Sequence, residues 1–505
     1  MSKTTSFRAV LPKFAPVAVV DIGSNSVRLV VYDALRRAPS PVFNEKVLCG
    51  LGRGVAATGM LSQEGVERAL KALGRFGALC EQIGVGDCYA IATAAAREAQ
   101  NGKKFIGAAE KALGRKIQVL TGKEEANFAA MGVMSSIPGV NGIVGDLGGG
   151  SLELVDVAGG EIKTGVTLPL GPFRLMDAVS ASDQTAKEIV ETELEKSGML
   201  KAMKDRPFYA VGGAWRNLAK MHMQQSSHPL SVLQQYALSP TAARSVSILV
   251  GGMQASELRD TDAIAKKRAD TLPLASLVLD RLLALGEPSE VIFSVYGVRE
   301  GVLFDKLKKE KRKQDPLLAG CWDFARRYAR SPEHENELRD WSDTLFASFQ
   351  SDESKDEKRL RHAACLMADI GWRALPDYRG TRALALISQA SIVGIDHPGR
   401  AFVALTIFLR YCGPRKNVPE NFESLLTTRT ETRARVLAAT LRLAYALTAA
   451  MPGMLPKIKL AVEDGDKLKL SLPAKHQALA GEVVEKQLEQ LADLLKCTSQ
   501  LHAKE

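Results

Sequence analysis

Apolar positions in the first 300 residues fall into two alternating patterns, short strand-like runs and longer helical stripes. VAVVDI, VRLVVYD, DCYAIA, KIQVL, LELVDVA and FYAV read as strands. GVERALKALGRFGALCEQIG, TAKEIVETELEKSGML and ADTLPLASLVLDRLLALG have the 3.6-residue periodicity of amphipathic helices. VIFSVYGVREGVLFD reads as a strand passing into a helix, and the charge-dense KLKKEKRKQD after it reads as a linker. From about 315 to 450 the pattern is nearly all helix. KIKLAVEDGDKLKLSL is then a hairpin around Asp464-Gly465, followed by a long helix. Alternating strands and helices imply an α/β architecture in the first half.

Two strand–turn–strand segments repeat one design. Asp21-Ile22-Gly23-Ser24-Asn25-Ser26-Val27-Arg28 and Asp146-Leu147-Gly148-Gly149-Gly150-Ser151-Leu152-Glu153 align at a constant offset, with Asp, Gly and Ser coinciding and Arg28 falling on Glu153. Small residues let backbone N–H groups and hydroxyls approach phosphate oxygens. Carboxylates beside such turns suit a hydrated Mg²⁺. Both turns continue into strands, which excludes a dinucleotide fingerprint or a P-loop, since each of those needs a helix to open at the glycines. The pair therefore reads as a phosphate chain and a metal held between two related domains.

Composition narrows the class. At 505 residues, with 46% hydrophobic and 25% charged residues, the chain has the length of three or four globular domains. No apolar run reaches the roughly 18–20 residues that span a membrane, and the basic N-terminus lacks an apolar signal core. The cysteines at 49, 80, 88, 321, 365, 412 and 497 form no C-x-x-C pair, so reduced thiols in a cytoplasm are expected. The net charge of +10 suits an anionic partner. No aromatic-basic interleaving points to nucleic acid.

Several residues stand where chemistry would need them. Thr121 and Glu124 have capping-box spacing. If Glu124 folds back onto the N-cap amide, Glu125 is left free to orient a water, or else it is an exposed first-turn carboxylate favoured by the helix dipole. Arg97 follows an apolar strand and is either a cleft residue or a surface arginine. Arg299 opens a helix after a strand, which suits a phosphate contact or a surface ion pair with Glu300. Lys306, Lys308, Lys309, Lys311, Arg312 and Lys313 read as a solvated face, or as one wall of a path for a long polyanion. His362, Asp369 and His397 suggest a metal site in the helical part, and the segment from His362 to Gly371 resembles an HD-type metal helix, but Ala368 stands where its second histidine should be. A compact metal site needs its full ligand set, so a relic scaffold is expected there.

DIGSNSVRLVV, ATAAARE, TGKEEA, GDLGGGSLEL, AVGGAWRNLA and YGVREGVLFD together resemble the exopolyphosphatase / guanosine pentaphosphate phosphohydrolase family of the actin-like ATPase and sugar kinase superfamily. The resemblance implies two actin-like, ribonuclease H-like α/β domains over 1–135 and 136–312. It places a degenerate helical HD-like domain over 313–452 and a small α+β domain over 453–505. It implies a Mg²⁺-dependent, processive release of orthophosphate from polyphosphate, and also from guanosine pentaphosphate, by a cytoplasmic homodimer. Guanosine tetra- or pentaphosphate is implied as a substrate or regulator.

By position, Glu125 becomes the general base. Asp146 and Glu153 become the carboxylates linked to metal and water, and Asp21 the phosphate-loop aspartate near the metal. Ser24, Asn25, Ser26, Arg28, Arg97, Gly148, Gly149, Gly150, Ser151, Gly212, Gly213 and Arg299 become phosphate-binding groups. Trp215 and Arg216 depart from the threonines common after the glycine pair. Two other functions compete with this reading: an ATP-dependent kinase of the same superfamily, and a binding protein that senses guanine nucleotides or polyphosphate.

Overall fold

The computed structural model describes residues 15–349 and 352–503, and the chain divides into two compact units that meet between Gln314 and Asp315. The first unit holds two sheets. Strands β1 (Val17–Ile22), β2 (Ser26–Tyr32), β3 (Pro41–Leu48), β4 (Asp87–Ala92) and β5 (Ile117–Val119) lie in the order β3-β2-β1-β4-β5. Strands β6 (Gly142–Leu147), β7 (Leu152–Ala158), β8 (Glu161–Leu168), β9 (Phe208–Val211), β10 (Tyr236–Leu238) and β11 (Val291–Phe293) lie in the order β10-β11-β9-β6-β7-β8. Each sheet is thus an antiparallel three-strand meander extended by parallel strands, with β1∥β4 matching β6∥β9. The fold is α/β, as the alternating pattern predicts.

The central strands are apolar on both faces because helices cover both. Ala18, Val20 and Ile22 of β1 pack into a core shared with Leu73 and Phe76 of the helix Gln63–Ile83, while Val17 and Val19 face Leu303 on the other side. That first helix starts where Ser62 accepts a bond from the Gly65 N–H, and ends at Gly84 with φ 76.

Two helices join the sheets crosswise. The helix Gly122–Ser136 leaves β5, yet its Ala126, Ala130 and Val133 pack on Val144, Val155 and Val211 of the second sheet. The helix Val298–Lys306 leaves β11, yet Leu303 packs on Val17, Val30 and Tyr32, and Val302 on Ile91 and Leu120. Each helix covers the sheet it did not come from. They cross so closely that a Cβ on Gly301 would run into the Phe128 carbonyl oxygen, and one on Gly132 into that of Gly297.

The second unit is helical, with Pro332–Phe349, Lys355–Leu366, His397–Cys412 and Thr428–Thr448 as its main elements. Strands β12 (Lys459–Glu463) and β13 (Lys467–Leu472) form the expected hairpin, with Asp464 and Gly465 at φ 54 and 83. After the helix Glu482–Leu495 a third strand, β14 (Thr498–Ala503), pairs parallel to β13. The sequence reading missed it because TSQLHA is short and lacks an apolar alternation. The Trp341 Nε1–H donates to the Ile458 carbonyl at 2.9 Å and ties this sheet to the helices.

His362 and Asp369 turn to different partners. His362 Nε2 lies 2.7 Å from Asp343 Oδ1. Asp369 is fully buried and accepts from Arg330 at 2.8 and 2.9 Å and from Arg410 at 3.4 Å. The Arg410 guanidinium is itself sandwiched between the rings of Tyr411 and Tyr445, at 4.0 and 3.7 Å. The aspartate of the HD-like motif therefore has arginines as its counter-ions. His397 opens the helix His397–Cys412.

Gly301→Val should cost about 3 kcal/mol or more, because backbone faces backbone at the crossing and neither helix can move aside without leaving its sheet. An unchanged urea midpoint would refute this. A second expectation concerns acid. Enclosure works against ionisation of Asp343, but bonds from His362, Lys358 and Arg361 outweigh it and hold the carboxyl at about 2. Glu357, bonded first by Arg429, is also held at about 2. Both carboxyls titrate lower folded than unfolded, so the stability they contribute is full above about pH 4 and lost as pH falls towards 2. Asp343→Asn should flatten that part of the full chain's acid-unfolding curve, followed by circular dichroism. An identical slope would contradict the assignment.

Candidate active site

The two hairpins are the same structure twice. Asp21 pairs with Arg28 across β1 and β2, and Asp146 with Glu153 across β6 and β7. In each turn the first glycine N–H closes the loop onto the serine carbonyl, Gly23 to Ser26 at 3.0 Å and Gly148 to Ser151 at 2.9 Å. Among the described residues, the N–H groups of Ser24, Asn25, Gly149 and Gly150 make no backbone bond and remain for a ligand. The turns face each other. Ser24 Cβ stands 3.3 Å from where a Cβ on Gly149 would lie, and Ser24 Oγ 3.3 Å from the equivalent point on Gly150. A polar cavity opens between them. Asp21, Ser24, Asn25, Ser26, Arg28, Glu125, Asp146, Gly148–Ser151, Gly212, Gly213 and Arg299 all line it.

Glu124 and Glu125 separate as the capping box requires. The Thr121 N–H donates to Glu124 Oε2 at 2.8 Å, and the Glu124 N–H to Thr121 Oγ1 at 3.2 Å. Glu125 points inward and is buried. Burial pushes its carboxyl up to about 7, with Arg97 pulling against it and Asp146 and Asp21 adding to it. Arg97 stands behind the cavity lining. Its Nη1–H donates to the Leu120 carbonyl at 2.7 Å and to Glu125 Oε2 at 3.2 Å, so it braces the glutamate.

Asp146 is pushed up to about 6 by burial, against the pull of Arg216 and with a further push from Asp21. Glu153, behind Ser151, is 2% exposed and its Oε1 has no hydrogen-bond partner. Burial and then the Glu125 charge drive its carboxyl well above the usual range. Three enclosed carboxyls that repel one another, one with an unpartnered oxygen, call for a cation. Among the described residues no three His, Cys, Asp or Glu side chains gather into a ready-made cage. The donor set suits a hydrated divalent ion that takes one or two carboxylates and completes its shell with water and substrate oxygens.

Asp21 is partnered by Arg299, Nη1 to Oδ2 at 3.1 Å. Glu300 fixes that arginine's helix. It accepts from the Gly297 N–H at 3.0 Å and from the Tyr32 hydroxyl at 2.7 Å. Arg28 Nε–H reaches Asn44 Oδ1 at 2.9 Å. Lys46, Arg216 and Arg268 also line the cavity. Sequence reasoning missed Lys46 and Arg268 and noted Arg216 only as a departure from pattern. The basic linker divides: Arg312 Nε–H donates to the Leu307 carbonyl at 2.8 Å, whereas Lys308, Lys309 and Lys311 are exposed.

A sequence model of the Ppx/GppA phosphatase family matches residues 30–310, and one of the exopolyphosphatase C-terminal region matches residues 317–501. Retrograde regulation protein 2 of Saccharomyces cerevisiae is 27% identical over 444 residues, 80% of this chain and 74% of that protein. Exopolyphosphatase 1 of Mycobacterium leprae is 26% identical over 306 residues, 58% of this chain and 90% of that protein. Among solved structures, an exopolyphosphatase from Cytophaga hutchinsonii aligns with a TM-score of 0.53 at 24% identity, covering 58% of this chain and 99% of that one. The Aquifex aeolicus member of the Ppx/GppA family aligns with a TM-score of 0.50 at 24% identity, covering 59% and 98%. These structural likenesses are matches of fold.

Glu153→Gln should stabilise the metal-free protein by about 1 kcal/mol, because it removes a buried, repelled carboxyl from a site built for function. It should also shrink the rise in melting temperature on adding a divalent cation. A lower melting temperature in the metal-free variant would contradict this reading of Glu153.

Proposed function

Because the chain belongs to the Ppx/GppA phosphatase family, we propose that it is an exopolyphosphatase, releasing orthophosphate from the end of inorganic polyphosphate with Mg²⁺ as cofactor. The observation that carries this reading is Glu125: it is relieved of capping duty, buried, braced by Arg97, and set beside Asp146 and Glu153 where the two hairpin turns face each other. Asp146 and Glu153, with Asp21 nearby, would hold the Mg²⁺. When bound, that ion supplies charge neutralisation on the phosphate oxygens.

Phosphoryl transfer depends on positioning and charge stabilisation more than on covalent help. The terminal phosphate sits between the turns, its oxygens taken by N–H groups of Ser24, Asn25, Gly149 and Gly150 and by the Ser26 and Ser151 hydroxyls. A water attacks phosphorus in line, its proton passing to a Glu125 carboxylate oxygen. The bridging P–O bond breaks, and its electron pair leaves with the shortened chain. A carboxyl titrating at about 7 suits a base working near neutrality. Arg299 and Arg28 stabilise charge on the phosphates. Processive attack by a homodimer in a reducing cytoplasm belongs to the same proposal, and all seven cysteines are free thiols. Guanosine pentaphosphate, whose terminal anhydride is chemically alike, is the competing substrate.

The yeast relative named as a regulatory protein, which aligns over 80% of this chain, favours a second reading: a protein that binds phosphorylated ligands without turnover. One experiment separates the two. Full-length protein, Mg²⁺ and long-chain polyphosphate should yield orthophosphate, and Glu125→Gln should lower the rate by about 10²–10⁴-fold while leaving binding of the chain nearly unchanged. Release by the variant at the parental rate would remove Glu125 as base. Binding by the parent with no release would favour the regulatory reading.

A further inference from the structure

Two cysteines meet at the foot of the first sheet, at the other end of β4 from the cleft. The helix Gln63–Ile83 ends just beyond Cys80, where Gly84 caps it at φ 76 and the Val85 N–H donates to the Cys80 carbonyl at 2.9 Å. The Gly86 N–H then donates to the Pro16 carbonyl at 3.1 Å, and the chain turns straight into β4 at Asp87. Register decides which way Cys88 faces. It lies beside Ala18 of β1, and alternate residues of a strand share a face. Ala18, Ala90 and Ala92 all belong to the core beneath that helix, and so does Cys80. Cys88 packs against the same core from its edge. At its far end β4 delivers Thr93 to the cleft lining, so the cysteine pair is a separate place.

The two sulfurs share a hydrogen bond, and it sets Cys80 apart. Among the described residues Cys80 is the one thiol held below its ordinary range. The bond from Cys88 is the largest cause, burial opposes it, and the Arg115 guanidinium adds to it. Cys88 moves the other way, first through that bond and then through burial. Arg115 stands two residues before Ile117, which pairs with Ala90, so the β4–β5 register brings it level with Cys88. Cys49 sits in the same core but directs its thiol to the Val47 carbonyl at 3.6 Å. Cys80 is 2% exposed and Cys88 only half-buried, so solvent reaches the pair from the Cys88 side.

We propose that Cys80 and Cys88 form a reversible redox site, at which hydrogen peroxide closes a disulfide between the helix Gln63–Ile83 and β4. The Cys80 thiolate attacks one peroxide oxygen, since the thiolate is the nucleophilic form. An S–O bond forms, the O–O bond breaks, and the departing hydroxide takes a proton to become water. The Cys88 sulfur then attacks the Cys80 sulfenic acid and gives up its proton. The S–S bond forms as the S–O bond breaks, and a second water leaves. Two thiols have lost two electrons and the peroxide has gained them. A small-molecule thiol reverses the bridge by exchange. Enclosure of Cys80 suits an oxidant the size of water, and a partner sulfur already in contact traps the sulfenic acid before it is oxidised further. In a reducing compartment such a bridge is transient, which is the mark of a sensor and not of a structural staple.

The redox site is independent of the phosphatase reading, and peptide mapping tests it on the native full chain. Trypsin leaves Cys80 and Cys88 together on the fragment Phe76–Arg97. After peroxide treatment and alkylation of free thiols, that fragment should appear unalkylated and lighter by two hydrogen atoms, and dithiothreitol should restore it. Cys88→Ser removes the resolving thiol, so capture of the Cys80 sulfenic acid by dimedone should rise about tenfold over the parent. Cys80→Ser should leave Cys88 weakly labelled.

Absence of the bridged fragment, at a peroxide concentration that oxidises the exposed Cys412, would overturn the proposal. So would bridging of either cysteine to a different partner in preference. Stronger dimedone labelling of Cys88 in Cys80→Ser than of Cys80 in Cys88→Ser would overturn Cys80 as the attacking sulfur. Mapping of the parent needs no substitution, so a variant that fails to fold leaves the test intact.

Discussion

The first unit depends on the crossing of two helices without side chains between them. Gly132 and Gly301 let the helices Gly122–Ser136 and Val298–Lys306 approach backbone to backbone, each while packing on the opposite sheet. Glu125 is in the first turn of one helix and Arg299 in the first turn of the other. Glu125 and the arginine that partners Asp21 are therefore placed by the contact that also joins the sheets. Interiors are close-packed enough that such a contact transmits strain rather than absorbing it. Positioning at the site and integrity of the fold cannot be separated here.

Around that scaffold, charge is sorted by position in a duplicated hairpin. The two turns share their closing hydrogen bond and their cross-strand pairing, so one difference at the residue opposite the aspartate has a clear effect. Arg28 opposite Asp21 brings a cation to the cleft, and Glu153 opposite Asp146 brings a carboxyl behind it. The carboxyls repel one another and the cations repel one another.

Much of this was legible in the chain. The hairpins showed because Asp, Gly and Ser recur at one offset with strands on both sides, and that pattern has few alternative folds. The capping box told Glu124 from Glu125 because N-terminal hydrogen bonding is local and its spacing fixed. Lys46 and Arg268 were not legible. Lys46 sits in an alternating edge strand that looks solvated, and only the register with β2 brings it opposite Arg28. Arg268 belongs to the charged run AKKRAD, and its approach to Gly213 depends on Asn217 reaching Ala265, 48 residues away. Arg330 and Arg410 are likewise remote in sequence from the Asp369 they neutralise.

The guanidinium of Arg410, held between two tyrosine rings beside Asp369, is a counter-ion that cannot dissociate. Charge compensation in the helical unit is thus covalently guaranteed, and chelation, dilution or a change of available metal cannot withdraw it. In the hairpin unit Arg97 and Arg299 are equally permanent partners of Glu125 and Asp21, whereas the buried Glu153 Oε1 has none. The chain therefore carries one half whose enclosed aspartate is neutralised by its own arginines and one half that leaves an enclosed carboxyl oxygen without a partner.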